Sequence, residues 1–253
     1  MNYLELADRV AAIQFHNPDY VLLYRGQPKD YRRKSNTTLK ATIFRGTSVG
    51  DPQKQNLLKP EVLAKRFEIL RQAEDRLIEE YHFTDAKRKL RRRRILRWAI
   101  LQHYEVCRTP LLDVTHSLRI AASFASTPGG REAYVYILGL PNLAGAVTAS
   151  AESGVQIVRL ASVCPPQARR PHIQEGYLLG EYPDISDIDQ LRHFENYEID
   201  FGRRLVAKFR FDPNTFWADG NFPKVEHGAL YPNENDPLFA MTQDIKNSLP
   251  PAD

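Results

Sequence analysis

Three polar blocks in this sequence hold side chains that could bind an anionic ligand or react with it. Arg25 ends an apolar run, Thr115-His116-Ser117 precedes an alanine-rich run, and Gln174-Glu175 precedes a Gly-Tyr-Leu-Leu run. An arginine can hold a phosphate through two parallel hydrogen bonds, and a carboxylate stabilises a developing positive charge. Histidine serves as a general acid or base, so His103 and His116 form a candidate pair.

The chain around the second block predicts how these side chains are positioned. Thr109-Pro110 ends a helix, because the residue before a proline is disfavoured in the helical region. A new helix begins after Ser117, which is a suitable N-cap, and its alanines share one face. The free N–H groups at the start of that helix would attract an anion. We therefore expect one site to contain Arg25, His103, Asp113, Thr115 and His116.

Each of these residues also has a purely structural interpretation. Arg25 and Asp113 could form a buried ion pair, because a buried arginine needs such a partner. A carboxylate next to two leucines is typically hydrogen-bonded to backbone. A histidine at a helix end often has structural partners alone, and Gln174 could satisfy loop backbone rather than a ligand. These alternatives stay open at the level of sequence.

Several segments together resemble the FRG domain, a family named for an aromatic-Arg-Gly motif near its N-terminus. In chain order they are Leu23-Tyr24-Arg25-Gly26-Gln27, Phe44-Arg45-Gly46, Gln102-His103-Tyr104, residues 109–115, residues 122–125 and residues 170–177. The resemblance covers residues 20–211. Glu105 departs from it, since many members of the family have glycine at that position.

The order of an early arginine, a Ser/Thr segment leading into a helix and a late Gln/Glu pair is similar to that of ADP-ribosyltransferases. In those enzymes the arginine holds the dinucleotide and a late glutamate stabilises the ribosyl cation. The resemblance implies NAD as a substrate, with no required cofactor. It implies a ligand-binding role for Arg25, a place in the cleft for Thr115 and a catalytic role for Glu175. Together with the residue types, this makes Arg25, Gly26, Thr115, Ser117 and Gln174 the candidate binding residues and Glu175, His116 and His103 the candidate catalytic residues. The superfamily's own glutamate position is Gly176 in this chain, so Glu175 or a histidine would have to replace it.

A basic run over residues 87–97 favours a different class of function. It holds eight basic residues and no acidic one, and without it the formal net charge of +4 becomes −4. Such a run could bind nucleic acid or an acidic protein through Lys87, Arg88, Arg91, Arg92, Arg93 and Arg94. It could equally be a solvated helix face neutralised by the acidic residues just before it.

Two functions are therefore open. The leading one is an intracellular enzyme or binding domain for a nucleotide-like small molecule, in its most concrete form an ADP-ribosyltransferase or NAD glycohydrolase. The alternative is a non-enzymatic interaction module that uses the basic run.

Composition excludes several other classes of protein. No apolar run approaches the roughly 18 residues of a membrane span, and the N-terminal segment lacks a secretory pattern, so we expect a cytoplasmic protein without membrane contact. Cys107 and Cys164 are expected to be free thiols. Without a CxxC pair, an HExxH pair or a dense Cys/His cluster, no metal site is expected.

Hydrophobic periodicity predicts an α+β fold with one mixed, mostly antiparallel sheet of five to seven strands, and the resemblance implies an ADP-ribosyltransferase-like arrangement. A long amphipathic helix from Pro60 and a second helix ending near Tyr104 predict a helical-hairpin insertion at residues 60–104. We expect residues 1–253 to form a single FRG-type domain. A surface loop is expected at residues 47–59 and a frayed tail at residues 248–253.

Overall fold

The computed structural model describes residues 1–33, 35–46, 58–142, 144–194, 199–218, 220–233 and 235–251. The α-helices in these residues are α1 (Tyr3–His16), α2 (Pro60–Glu80), α3 (Thr84–Arg92), α4 (Arg94–His103), α5 (Leu118–Ala125), α6 (Arg169–Ile173), α7 (Ile188–Leu191), α8 (Pro213–Phe216), α9 (His227–Leu230) and α10 (Pro237–Ser248). The strands are β1 (Val21–Gln27), β2 (Arg32–Arg33), β3 (Asn36–Thr37), β4 (Leu112–Thr115), β5 (Ala133–Leu140), β6 (Val147–Ser150), β7 (Val155–Arg159), β8 (Gly176–Glu181) and β9 (Leu205–Phe211).

Seven of the strands form one sheet in the order β6-β7-β8-β4-β1-β5-β9, and β2 and β3 form a separate ribbon. Every strand pair in the described residues is antiparallel. The predicted α+β class and mostly antiparallel sheet are thus confirmed, whereas the parallel pairing that a mixed sheet requires is not found in the described part of the chain. The ADP-ribosyltransferase-like arrangement stays a prediction.

The centre of the sheet is the reason that the polar blocks meet. β1 lies between β4 and β5, and all eight residues of β5 are buried, as its nearly continuous apolar sequence requires. Tyr24 of β1 pairs with Thr115 of β4, and Thr115 pairs in turn with Gly176 of β8. Residues about 90 and about 60 positions apart in sequence are therefore neighbours on adjacent strands.

Helix α5 packs closely on the central strands because Gly26 has no side chain. A Cβ atom at Gly26 would lie 1.7 Å from the carbonyl oxygen of Ala121, which no real contact allows. The small face of α5 supplies Ala121, Ala122 and Ala125, all fully buried against the sheet. Glycine at position 26 is thus fixed by backbone packing.

The insertion at residues 60–104 contains three helices where a hairpin of two was expected. Arg93 interrupts the second arm with an extended backbone (φ −127°, ψ 103°) and separates α3 from α4. The buried carboxylate of Glu74 on α2 connects the arms, since it accepts hydrogen bonds from Arg97 Nε at 2.8 Å and Trp98 Nε1 at 2.7 Å. A buried charge is stable only with such partners.

Two predicted segments lie partly outside the described residues. These are residues 47–57 of the expected surface loop and residues 252–253 of the expected tail; α10 ends at Ser248, where that tail was predicted to begin. Among the described helices, none has the length and apolar character needed to cross a bilayer.

Candidate functional site

A cavity of about 220 Å³ lies where β1, β4 and β8 run side by side. Its polar lining residues are Arg25, Gln102, His103, Glu105, Asp113, Thr115, Arg170 and Gln174. The rest of its lining consists of Tyr24, Gly26, Val114, Phe124, Leu160, Gly176, Tyr177 and Tyr231. All three polar blocks of the sequence therefore contribute to a single cavity.

Arg25 lies in the wall formed by β1 and keeps part of its hydrogen-bonding capacity unused. Its Nη1 donates to the backbone carbonyl oxygen of Asp113 at 2.5 Å, while its buried Nε has no hydrogen-bond partner in the described residues. Burial lowers the pKa of Arg25, although the negative charge of Asp113 acts in the opposite direction. The expected partnership of these residues is real, but its direct contact is made through the backbone of Asp113.

Asp113 is held in place by a chain of hydrogen bonds. Its carboxylate accepts from Gln102 Nε2 at 2.6 Å. The amide oxygen of Gln102 accepts from the hydroxyls of Thr109 at 2.6 Å and Thr42 at 3.3 Å, which fixes the orientation of the amide. Burial raises the pKa of Asp113, while Arg25 and then the Gln102 hydrogen bond act to lower it.

His103 is a buried, neutral base in the cavity wall. Its side chain is only 3% exposed, and its Nε2 has no hydrogen-bond partner in the described part of the chain. Burial and the nearby charge of Arg170 lower its pKa well below 6.5, so the ring is uncharged at neutral pH. The ring lies against Gly176, where a Cβ would approach His103 Cε1 at 3.6 Å and Leu160 at 2.8 Å.

Arg170 of α6 closes another side of the cavity. Its Nη2 donates to Glu105 Oε1 at 2.8 Å, and its guanidinium carbon lies 5.8 Å and 4.5 Å from the ring centroids of Tyr104 and Tyr231. Its Nε is buried and unpartnered within the described residues. Glu105 has φ of 56°, a left-handed conformation that favours glycine, which fits the glycine that the resemblance predicted there.

Thr115 and Gln174 line the cavity, but their side chains already form hydrogen bonds with backbone groups. Thr115 Oγ1 donates to the carbonyl oxygen of Gln174 at 2.8 Å and accepts from the backbone N–H of Ser117 at 3.0 Å. Gln174 Nε2 donates to the carbonyl oxygen of Leu230 at 2.7 Å. Both residues connect elements around the cavity, as the structural alternative for Gln174 proposed.

Three of the predicted site residues do not line the cavity. His116 and Glu175 are exposed, and Ser117 caps α5 by accepting from the N–H of Ile120 at 3.5 Å. Glu175 has φ of 46°, and its carbonyl oxygen accepts from the backbone N–H of His116 at 3.3 Å. The structure thus brings Arg25, Gly26, His103, Thr115 and Gln174 together and leaves out His116, Ser117 and Glu175, whose proposed roles stay predictions.

Positive charge exceeds negative charge around the cavity. Arg25 and Arg170 line it together with Asp113 and Glu105, and Arg45 lies close enough to Arg25 for the two charges to interact. Burial, and next the charge of Arg25, lower the pKa of Arg45 to about 10. The two arginines and two carboxylates of the lining balance, and Arg45 outside it adds a positive charge that favours an anion.

Sequence reasoning did not assign site roles to several of these residues. Gln102 and Arg170 lie within the family-like segments, so their position in those segments was an available signal. Tyr231 lies in the C-terminal part of the chain, where no local pattern indicated a site. Only the fold brings it against Arg170.

One arginine of the basic run at residues 87–97 is buried in an ion pair, and most of the other basic residues are exposed. Arg97 is 9% exposed and pairs with Glu74 at 2.7 Å, and Arg94 reaches the same carboxylate at 3.3 Å. The exposed members of the run are Arg88, Lys89, Arg91, Arg92 and Arg93. Binding of nucleic acid or an acidic protein by this run stays a prediction.

The cysteines and potential metal ligands offer no further chemistry in the described residues. Cys107 and Cys164 are free thiols, and burial raises the pKa of the Cys107 thiol to about 12, which suppresses its nucleophilic form. No group of three His, Cys, Asp or Glu side chains in the described part of the chain is placed to hold a metal ion.

Comparison with known families confirms the resemblance seen in the sequence. The family model of the FRG domain matches residues 21–132. The matched stretch supplies Arg25, Gln102, His103, Asp113 and Thr115 to the cavity, whereas Arg170, Gln174 and Tyr231 lie beyond it. The chain has no match among the curated proteins or among the solved structures that were searched.

Proposed function

We propose that the cavity binds a compact anionic ligand with a planar ring, of the kind that one half of NAD presents. The observation that carries this proposal is a set of three buried nitrogen atoms, Arg25 Nε, His103 Nε2 and Arg170 Nε, that belong to residues lining the cavity. None of them has a hydrogen-bond partner in the described residues. Buried polar groups are almost always paired in native proteins, so three orphans around one cavity favour a ligand or ordered waters as the missing partner.

The charge of the cavity favours an anionic group on the ligand. A phosphate would complement the guanidinium groups of Arg25 and Arg170, because arginine binds phosphate bidentately. Arg25 is suited to this role because its backbone contact with Asp113 uses only Nη1. The guanidinium is therefore oriented before a ligand arrives, which reduces the entropic cost of binding.

The aromatic residues of the lining favour a planar ring on the same ligand. Tyr24, Phe124, Tyr177 and Tyr231 supply aromatic surface to the wall. Phe124 lies edge-on to Tyr231, with ring centroids 5.8 Å apart, and Arg170 holds the face of Tyr231 from another side. Aromatic side chains held in this way provide a surface on which a nucleobase or a pyridine ring can pack.

The size of the cavity limits the part of a dinucleotide that it can enclose. Its volume of about 220 Å³ is below the roughly 300–1,000 Å³ of typical ligand sites. A ring with its sugar or phosphate is therefore the enclosed part, and the rest of a dinucleotide would extend past Glu105, whose side chain is 64% exposed.

The catalytic version of the proposal is NAD cleavage, either by ADP-ribosyl transfer or by hydrolysis. The bond between the ribose anomeric carbon and the nicotinamide nitrogen breaks, and nicotinamide leaves with the electron pair. An acceptor nucleophile, or water, then bonds to the cationic carbon and loses a proton. Asp113 is the partly buried carboxylate in the cavity wall that could stabilise this cation, and Glu175 lies outside the lining.

Binding is tested by thermal melting and calorimetry with ADP-ribose, AMP, adenosine, nicotinamide and inorganic phosphate. A ligand at about 100 times its Kd adds about 2.7 kcal/mol to stability, which raises Tm by roughly 5–10 °C for a chain of this size. We expect ADP-ribose or AMP to raise Tm and adenosine, which lacks phosphate, to raise it much less.

Matched variants test whether the ligand that raises Tm binds in the cavity. Arg25→Lys keeps the charge but removes the planar fork, and Tyr231→Leu removes aromatic wall; each should weaken AMP binding about tenfold or more. Tyr20→Leu is the control, because Tyr20 is 50% exposed and outside the lining. If none of the compounds raises Tm, or if both cavity variants bind as tightly as the wild type, the proposal is wrong.

A further inference from the structure

A second and larger concavity lies beside the basic run, away from the cavity described above. Its volume is about 770 Å³, and it runs between the α3–α4 junction, the start of β6 and the segment at residues 162–167. Lys89 and Arg93 line it, and no acidic residue is present among its described lining residues. We call it the basic groove.

The basic groove combines positive charge with an apolar floor. Leu90 and Leu96 are 2% and 6% exposed and form part of the core beneath it, while Val147 and Val163 pack against that core from the other wall. Lys89 lies in the last turn of α3 and Arg93 at the α3–α4 junction, and both line the groove. A ligand in the groove would therefore meet aliphatic surface below and cationic groups at the rim.

The cations of the groove are available because Glu74 pairs with other members of the basic run. Glu74 pairs with Arg97 in the interior of the insertion and with Arg94, whose side chain stays 40% exposed. Lys89 and Arg93 are exposed and form no ion pair in the described residues. Because the sequence between Lys87 and Arg97 contains no acidic residue, neighbouring side chains of the run cannot neutralise these two.

We propose that the basic groove binds an acidic protein segment that also carries aliphatic side chains. The aliphatic floor distinguishes this occupant from nucleic acid, because single-stranded nucleic acid is held mainly by stacking on aromatic rings and Phe83 is the single aromatic residue among the described lining residues. A duplex needs phosphate contacts along a basic surface and gains nothing from a buried aliphatic floor.

The sheet edge beside the groove also suits a protein segment. β6 is the outermost strand at this end of the sheet and pairs with β7 alone in the described residues. Val147, its first residue, lines the groove. An extended segment lying in the groove would thus pass the unpaired edge of β6, whose backbone groups can pair with an incoming strand. This inference does not depend on the ligand proposed for the smaller cavity.

The test measures binding of a short fluorescein-labelled peptide, in which Asp and Glu alternate with Leu and Val, by fluorescence anisotropy. A peptide with Ser in place of Leu and Val, and a single-stranded oligonucleotide of equal charge, are the comparison probes. We expect the aliphatic peptide to bind most tightly at about 150 mM salt, where screening weakens purely ionic contacts.

Two double variants distinguish the groove from the basic surface as a whole. Lys89→Gln with Arg93→Gln removes two charges from the lining, and Arg88→Gln with Arg92→Gln removes two charges from exposed residues of the same run that do not line the groove. We expect the first pair to weaken peptide binding about tenfold or more and the second pair about twofold or less. Ser162→Trp, at an exposed lining position, should block the groove and weaken binding similarly.

Three results would overturn the inference. They are tighter binding of the oligonucleotide than of the aliphatic peptide, equal losses in the two double variants, and absence of peptide binding to the wild type at low salt. The first two would show a general polyanion surface, and the third would show that the run is a solvated helix face.

Discussion

Arg25 donates a hydrogen bond to the backbone carbonyl oxygen of Asp113 at 2.5 Å, across 88 residues of sequence. The contact is possible because β1 and β4 are neighbours in the sheet. It holds a partly buried guanidinium while the Asp113 carboxylate is held separately by Gln102. The cavity wall is therefore a polar network built by tertiary structure, in which removal of one member leaves the others unpaired.

Replacement of Asp113 tests the structural importance of that network. Asp113→Asn removes the negative charge that favours the charged form of Arg25, while the asparagine oxygen can still accept from Gln102. We expect a loss of about 3 kcal/mol in the free energy of unfolding, measured by denaturant titration. Asp244→Asn, at an exposed position, is the control and should change stability little. If Asp113→Asn is as stable as the wild type, the carboxylate of Asp113 has no such structural role.

Replacement of Gly26 tests the packing of α5 on the sheet. In Gly26→Ala the new Cβ would lie 1.7 Å from the carbonyl oxygen of Ala121, so α5 or β1 must move. Overpacking of this kind costs about 1–3 kcal/mol or more, and Tm should fall by at least several degrees. Gly228→Ala is the matched control, since a Cβ there meets no atom within 4 Å and alanine favours helix α9. Equal melting temperatures for the two variants would contradict this account.

Part of the site could be predicted from the sequence because its polar residues stand at the ends of strands and helices. Thr115 and Gln174 line the cavity while the residues that follow them, His116 and Glu175, are exposed. Strand alternation does not explain this pattern, because Gln174 is the C-cap of α6 with a helical backbone and β8 begins only at Gly176. Glu175 could reach the cavity only through a distortion of the backbone near Gly176. The backbone does turn left-handed at Glu175, but this turn leaves its side chain in solvent.

The remainder could not be predicted because it depends on contacts between distant segments. No proline or glycine marks the break between α3 and α4 at Arg93. The break can be understood only from the tertiary structure, in which Glu74 of α2 pairs with arginines of α4. Tyr231 reaches the cavity through the packing of α9 against α6, where Gln174 donates to Leu230. Neither arrangement leaves a period or a motif in the local sequence.

The buried imidazole of His103 makes the stability of the fold depend on pH. Its pKa is lowered by burial and by Arg170, so on acidification the unfolded chain takes up a proton near pH 6.5 that the folded chain does not. The free energy of unfolding should therefore fall as pH drops below about 6.5, by up to about 1.4 kcal/mol per pH unit, until the folded pKa is reached. Above about pH 7 the residue contributes no pH dependence.

Denaturant titrations between about pH 7 and pH 5 measure this effect, and the comparison of variants isolates it from the carboxylates. We expect His103→Gln to have a shallower decline in stability than the wild type over that range. His16→Gln, at an exposed helix end, should decline as the wild type does. Parallel curves for the wild type and His103→Gln would show that His103 is not held neutral by the fold.

The choice of reacting carboxylate is the sharpest prediction for NAD cleavage. Asp113 and Glu105 line the cavity, and Glu175 is exposed beyond it. If purified protein releases nicotinamide from NAD, Glu175→Gln should release it at the wild-type rate. Glu105→Gln should instead raise KM, because loss of the carboxylate charge weakens the 2.8 Å contact that positions the Arg170 guanidinium toward the ligand. Asp113→Asn should lower kcat by about a hundredfold or more, in the fraction of protein that remains folded.

Nicotinamide release, measured together with the melting temperature of each variant, decides between the carboxylates. Loss of release in Glu175→Gln, with its melting temperature unchanged, would return the catalytic role to Glu175 and require the turn at residues 174–176 to rearrange when NAD binds.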